Sequence, residues 1–498
     1  MSNINSNLTF HNIDYKEGDL YTIKEGEHFG VLELKFLKEG ISPHCWDIVF
    51  SIDTSGSMSD LCSDNRSKID HIKNTLSNIL ILFSNNEEAT FNVYLQTFNN
   101  IITEVFDFTN ITKDNVYELI KQIDRIFPGG CTNLKIPLEI SKQKLKERIG
   151  QFSDTHKYIH IELTDGDDTC DNSINHLKRE LCNDYKNIFI GFGKEHNCIV
   201  LDSLASNNNN EYRFIDKIES AGFVYGEIVH SLLYMKYEEM EIRINNGKIF
   251  NWRFNEWVNV LNIGSLSSGT DKTFHVKSET PFIVEGQIYD VKKNALIDEF
   301  STLPNLIDEN NVVENIDHTR YLYRQKTQEI LYESKIFYSK TKNIKDKEEK
   351  KDFKNKLKTF YENMKDYIEK NNLNDDIFWK VLLDDIYITY ITFGTSNFYL
   401  YTNSRQISQG RQLTYNVNNI NENIKNNKYK YKNLKFNLSS DIDYNSDFDS
   451  DGDEGCDDDE EDVEIDGSSG HKLLDNTQTT YSTPEILDLM KTINQYNK

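Results

Sequence analysis

The 498-residue sequence has no CxxC pair, and its seven cysteines are an odd number scattered from Cys45 to Cys456. That pattern speaks against a disulfide scaffold or a zinc ribbon and implies reduced thiols inside a cell, most simply in the cytoplasm. Long apolar runs are missing too. The longest, such as Ile79 to Phe83, are far too short to cross a bilayer. The amino-terminal stretch lacks a basic start followed by an apolar core, so no signal peptide is expected. Basic charge is in short supply: the formal net charge is −25, which argues against nucleic-acid phosphate as a partner. Much of that charge is local, because 15 Asp and Glu and no Lys or Arg fall between Asp441 and Asp466, leaving −10 for the rest.

What is present is a globular chain of 37% hydrophobic residues, too long for one core. From Trp46 to Tyr234 short β-rich runs ("WDIVFSI", "TFNVYLQTF", "IITEVF", "KYIHIELT", "NIFIGFG", "YRFI") alternate with amphipathic stretches. Ile69, Ile72, Leu76, Ile79 and Leu80 recur at three and four, which places them on one helix face. This alternation predicts an α/β fold, a doubly wound and mostly parallel sheet, over residues 46–234. Its first strand, apolar on both faces, suits a central position covered by helices. Residues 235–310 change to short alternating strands and predict an added antiparallel β domain, which "EHFGVLELKFLKE" in the segment 1–45 is suited to complete. A helical region follows over 311–415, with "TKNIKDKEEKKDFKNKLK" as its charged, exposed section. Residues 416–480 read as a disordered acidic linker. Residues 481–498 read as a short helix, with Thr483 as its cap and Ile486, Leu489, Met490 and Ile493 on one face. Such a helix either docks on its own protein or serves as a detachable motif, and self-docking is the preferred expectation.

In a sheet of this kind, sites form where loops leave the carboxyl ends of strands. Three such loops are rich in oxygen donors. "FSIDTSGSMSD" offers Asp53, Ser55 and Ser57 at alternate positions, "PGGCTNL" offers Thr132 behind two glycines, and "ELTDGDDT" offers Asp165. Five oxygens with only two carboxylates among them suit a hard cation such as Mg²⁺, or Mn²⁺ in its place, and leave that ion able to take an anionic oxygen from outside. The bland alternative is a set of capping residues with no metal, since Ser, Thr and Asp also cap helices.

D-x-S-x-S, the threonine behind Gly-Gly, and T-D-G (Thr164, Asp165, Gly166), in that order, resemble the metal-ion-dependent adhesion site of von Willebrand factor type A domains. The resemblance implies that Ser55, Ser57 and Thr132 are direct ligands, that Asp53 and Asp165 act largely through water, and that the partner is a protein presenting an exposed Asp or Glu. The layout beyond the A domain resembles, more weakly, intracellular multidomain proteins of this family in protists, plants and giant DNA viruses. Some plant relatives are RING-type ubiquitin ligases, and no Cys/His array of that kind occurs here. The loop "SMSDLCSDNRSKID" departs from the family in length, which bears on the ligand the site accepts.

Other chemistry fits less well. "IDTSGS" is similar to the D-[ST]-G turn of aspartic proteases, but that reaction needs two facing turns and the chain has one. No catalytic residue is therefore assigned. Cys62, Cys131 and Cys170 share the loop end of the sheet and raise a thiol cluster as a side reading, against three unrelated loop residues. Asp447 to Asp458 imitates a calcium loop but lacks its apolar position and flanking helices, so it reads as a solvated acidic run. The expected function is metal-dependent binding of an acidic protein group. The rival is a scaffold whose helical region and tail carry the contacts. The oligomeric state is not legible.

Overall fold

The structure is a computed structural model that describes residues 4–10, 27–62, 64–153, 155–170, 172–207, 210–215, 221–280, 283–302, 317–341, 347–412 and 484–495. Strands β1 (Ile4–Phe10) and β2 (His28–Phe36) pair antiparallel at the start of the chain. β3 (Cys45–Asp53) then opens a six-stranded sheet with β4 (Thr90–Phe98), β5 (Ile102–Asn110), β6 (His156–Thr164), β7 (Lys186–Phe192) and β8 (Glu211–Ile215). Its order is β5-β4-β3-β6-β7-β8, parallel throughout except for the antiparallel edge strand β5. The connecting helices are α1 (Lys68–Ser84), α2 (Val116–Asp124), α3 (Lys135–Phe152), α4 (Ile174–Glu180), α5 (Cys198–Leu204) and α6 (Ala221–Leu233). The α/β fold expected from the alternation is the fold found.

Local chemistry explains where α1 starts. Ser67 accepts from the backbone N–H of Asp70, and the Asp70 carboxylate accepts from that of Ser67, so the first turn is capped reciprocally. Ile69, Ile72, Leu76, Ile79 and Leu80 are all buried, as their spacing predicts. Both faces of β3 are buried as well, yet they are not both apolar. Asp47, Ser51 and Asp53 alternate along one face, where Arg148, His160 and Thr164 satisfy them.

β9 (Met235–Asn245), β10 (Lys248–Asn251), β11 (Glu256–Val258), β12 (Val260–Ser267), β13 (Asp271–Ser278), β14 (Glu285–Asp290) and β15 (Ala295–Ser301) form two antiparallel sheets, ordered β1-β2-β13-β10-β11 and β12-β9-β14-β15. One core, including Leu32, Leu34, Met240, Ile242, Ile249, Val276 and Ile288, lies between them. The run "EWVNVLNI" is not one strand. It divides at Asn259, whose amide donates to the Gly247 carbonyl at 2.9 Å while its own carbonyl accepts from Ile244 N at 2.8 Å, so β11 and β12 join different sheets.

The helices α7 (Thr319–Thr341), α8 (Lys347–Lys370), α9 (Ile377–Thr392) and α10 (Phe398–Arg411) complete this part. α8 is the amphipathic charged element, burying Leu357, Phe360, Met364 and Ile368. α10 is buried along nearly its whole length although its sequence is polar. Gln409 donates to Asp385 at 2.7 Å, Gln406 to the Trp252 carbonyl at 3.0 Å, and Arg411 to the Asn210 carbonyl at 2.8 Å. Around its end, Glu211 meets Lys186 at 2.6 Å, Arg213 at 2.8 Å and Arg411 at 3.1 Å. Burial opposes ionisation of Glu211, but these three cations outweigh it and hold its carboxyl well below the usual range. The α/β sheet, the β layers and the helices thus share one compact unit.

The last helix, α11 (Pro484–Asn494), docks on α6 and α1 with Ile486, Met490 and Ile493 buried. Close approach depends on two glycines. A Cβ on Gly222 would stand 2.6 Å from Asn494, and one on Gly226 2.7 Å from the Met490 Cα. Asn78 donates to the carbonyl of Ile493 at 2.9 Å and so covers one of the helix's unpaired terminal acceptors. Thr483, expected as its cap, and the acidic segment 416–480 lie outside the described residues. A Gly226→Val substitution is expected to expel α11: amide exchange over 484–494 should accelerate by at least about tenfold while β3, β4 and β6 keep their protection, as read by hydrogen-exchange mass spectrometry.

Candidate metal centre

The sheet changes direction at β3. The chain passes from β3 through α1 to β4 on one side, and later builds β6 on the other. The carboxyl ends of β3 and β6 therefore diverge into loops that leave opposite ways, and a crevice opens between them. Asp53 and Thr164 are the last residues of these two strands.

Asp53 is 0% exposed. One carboxylate oxygen accepts from the Ser55 backbone N–H at 2.7 Å and the other from the Thr164 hydroxyl at 2.6 Å. Burial pushes this carboxyl up to about 6, against the lowering effect of those hydrogen bonds. Past it the chain curls into a short 3₁₀ turn, Gly56–Ser59, pinned by the buried Met58. The curl sets the Ser55 and Ser57 hydroxyls 3.1 Å apart, and Ser57 donates to Asp165 at 2.7 Å. The second loop is tied to the first by two backbone bonds, Gly56 N to the Gly130 carbonyl at 3.0 Å and Gly129 N to the Thr54 carbonyl at 2.6 Å. Gly130 takes a φ of +89°, and a Cβ there would stand 2.6 Å from the Asn100 side chain. Thr132 follows, buried, with its hydroxyl 3.2 Å from the point a Cβ on Gly166 would reach. The third loop reciprocates: Thr169 donates to the Thr132 carbonyl at 2.8 Å, and Asp168 accepts from Leu134 N at 2.9 Å.

Asp53, Ser55, Ser57, Thr132 and Asp165, predicted from three separate loops, thus lie at one crevice. Asp165 is also 0% exposed, and its second oxygen is held by the Lys68 ammonium at 2.6 Å. Sequence reasoning did not find Lys68, which opens α1 directly after the unusual loop. Nor did it find the clamps Asp168 and Thr169, or the role of the Thr164 hydroxyl, although the T-D-G motif contains that residue. The thiols do not converge. Cys62, Cys131 and Cys170 form no disulfide, and among the described residues no group of three or more His, Cys, Asp or Glu is placed to hold a metal. The crevice differs from such groups in relying on hydroxyls.

Beneath it Glu162 is buried on β6, and neither of its oxygens has a hydrogen-bond partner. Burial, reinforced by the charge of Asp53, raises this carboxyl well above the usual range and so favours its protonated form. Its neighbour His160 donates to or accepts from Ser51 at 2.8 Å and Asn187 at 3.1 Å, and burial lowers it to about 4, so it is neutral.

A model of the von Willebrand factor type A domain matches residues 47–223. This part of the chain is a von Willebrand factor type A domain. A domains generally mediate protein–protein interaction rather than catalysis, and members often bind a divalent metal. No curated protein matches the sequence. Similar solved structures include a von Willebrand factor type A protein from Catenulispora acidiphila, at 13% identity and a TM-score of 0.46 over 67% of this chain and 80% of that one. Another is the ArnB paralog VWA2 from Sulfolobus acidocaldarius, at 15% identity and 0.46 over 82% and 99%. Proximal thread matrix protein 1 from the mussel byssus, solved with a zinc-occupied MIDAS motif, is 20% identical with a TM-score of 0.31 over 38% and 45%.

The buried acids of the A domain make its stability pH-dependent with a definite sign. Asp53 and Glu162 bind protons more tightly folded than unfolded, so their contribution is greatest at low pH and is lost as pH rises, for Asp53 between about 4 and 6. Glu162→Gln is therefore expected to gain stability over the wild type as pH rises from 5 to 8, by on the order of 1–3 kcal/mol at pH 8, measured by urea unfolding in EDTA.

Proposed function

We propose that the A domain is a metal-dependent protein-binding module whose crevice holds Mg²⁺ or Mn²⁺ and grips an exposed carboxylate of a partner. Ser55, Ser57 and Thr132 would bind the ion directly, with Asp53 and Asp165 holding it largely through water. The observation that carries this reading is the donor set itself: three hydroxyls and two solvent-inaccessible carboxylates from three loops, tied into one crevice. All are hard oxygen donors, the kind that Mg²⁺ prefers. A cationic group already stands against Asp165, so the crevice has a demand for positive charge. When bound, the ion supplies an electrophilic centre under-neutralised by its cage, and an acidic side chain from outside completes it. The residues themselves orient the ion. The Ser55 N–H and the Thr164 hydroxyl fix Asp53, and the glycine turn fixes Thr132.

The protein would act inside the cell, in keeping with described cysteines that form no disulfide. No catalytic role is assigned to Asp53, whose oxygens are taken by donors and which has no facing D-[ST]-G carboxylate. The competing scaffold reading assigns the contacts to α7–α10 and the tail instead.

Calorimetry separates these readings. The wild type should take up one Mg²⁺ or Mn²⁺ ion and capture an immobilised acidic protein partner in a manner reversed by EDTA, and Asp53→Ala should lose both by at least about a hundredfold. Capture indifferent to the mutation and to chelator would favour the scaffold. Because Asp53 must ionise to serve, affinity for Mg²⁺ is expected to fall by up to about tenfold per pH unit below 6, with a proton released on binding, detected by titration in buffers of different ionisation enthalpy.

A further inference from the structure

Lys68 is the first residue of α1, where the positive end of the helix dipole disfavours a cation. Its placement against that local preference needs a compensating partner, and two carboxylates supply it. The ammonium lies 2.6 Å from Asp165, which is wholly buried, and 3.2 Å from Asp60, whose side chain is 62% exposed. The loop between them is a small finger closed by a bridge between Leu61 and Ser67, with Cys62 N donating to the Arg66 carbonyl at 2.8 Å and Lys68 N to the Asp60 carbonyl at 3.0 Å. The finger keeps Asp60 beside the lysine whatever else the ammonium touches. The ammonium also lies over the Phe192 ring, 5.7 Å from its centroid.

We propose that Lys68 is a tethered cation that neutralises Asp165 in the metal-free protein and must shift toward Asp60 before a divalent ion settles, so that this lysine sets the metal affinity of the A domain. The inference rests on the metal-site reading above. With Lys68 in place, one of the two carboxylates that would attract the ion is already paired, and the ion must break a short charge-assisted hydrogen bond to reach it. Asp60 offers the displaced ammonium a second carboxylate in water, which makes the exchange reversible. The lysine thereby keeps a buried charge from standing alone when metal is scarce and yields the site when metal is abundant.

The test uses the full chain. Wild type and Lys68→Met are titrated with MgCl₂ and MnCl₂ by calorimetry, and the labelling of Lys68 by an amine-reactive reagent is followed by peptide mass spectrometry with and without Mg²⁺. The methionine keeps the apolar stem and removes the charge, and it is expected to tighten Mg²⁺ binding by about tenfold or more. In the wild type, Mg²⁺ is expected to raise the labelling of Lys68, and this arm does not depend on how the variant folds. Equal affinity in the two proteins, or labelling that Mg²⁺ leaves unchanged or lowers, overturns the role of the lysine and leaves the metal site standing. Uptake by neither protein overturns the metal-site reading itself, and this proposal with it.

Discussion

Two carboxylates closed off from solvent, Asp53 and Asp165, stand at the ends of neighbouring parallel strands, and most of what surrounds them follows from the cost of keeping negative charge there. Each is answered separately. Asp53 receives an N–H and a hydroxyl, and Asp165 receives a hydroxyl and an ammonium. Glu162, one layer below, accepts no hydrogen bond and has the His160 ring nitrogen at 3.8 Å, and its surroundings favour the protonated form instead. Burial and the charge of Asp53 both oppose a third ionised group in that space. The crevice is thus poised short of neutrality, a condition suited to admitting an external cation.

The support for this arrangement is rigid in a particular way. Backbone bonds between Gly56 and Gly130, and between Gly129 and Thr54, lock the first two loops together, while Thr169 and Asp168 lock the third to the second. The hydroxyls are therefore positioned by a hydrogen-bonded frame that ties the three loops together. Farther away, the Glu211 cluster and the buried polar helix α10 join the opposite edge of the sheet to the β layers and the remaining helices. This makes the A domain part of a larger body, and α11 adds a further cover over α1 and α6.

The α/β sheet was legible because each of its strands is a short apolar run bounded by turn residues, and because the spacing of Ile69, Ile72, Leu76 and Ile79 has only one helical reading. The candidate residues were legible for a different reason: a motif spread over three loops carries its order in the sequence. The division of "EWVNVLNI" was not legible, since the bend at Asn259 is held by the Gly247 carbonyl in the turn after β9 and by the Ile244 N–H of β9. Strand β1 pairs with a partner some twenty residues on, and its own pattern was too weakly alternating to announce it. α10 lies in the stretch expected to be helical, but its burial does not follow from its pattern. Its Thr402, Asn403, Arg405 and Gln406 look like a solvated helix and are buried, because the elements packed around it leave that helix no solvent-facing side.

By itself the sequence determined the alternation of strands and helices and the donor types available at their ends. These are properties of local periodicity and residue chemistry, and they survive without knowledge of distance. Only the tertiary structure decided which charges meet. Lys68 and Asp165 are far apart in the chain and carry no mutual signal in it, yet they are paired at 2.6 Å because α1 starts beside the end of β6. The electrostatic balance of a buried site depends on distance and solvent exclusion, and neither is written in the order of residues.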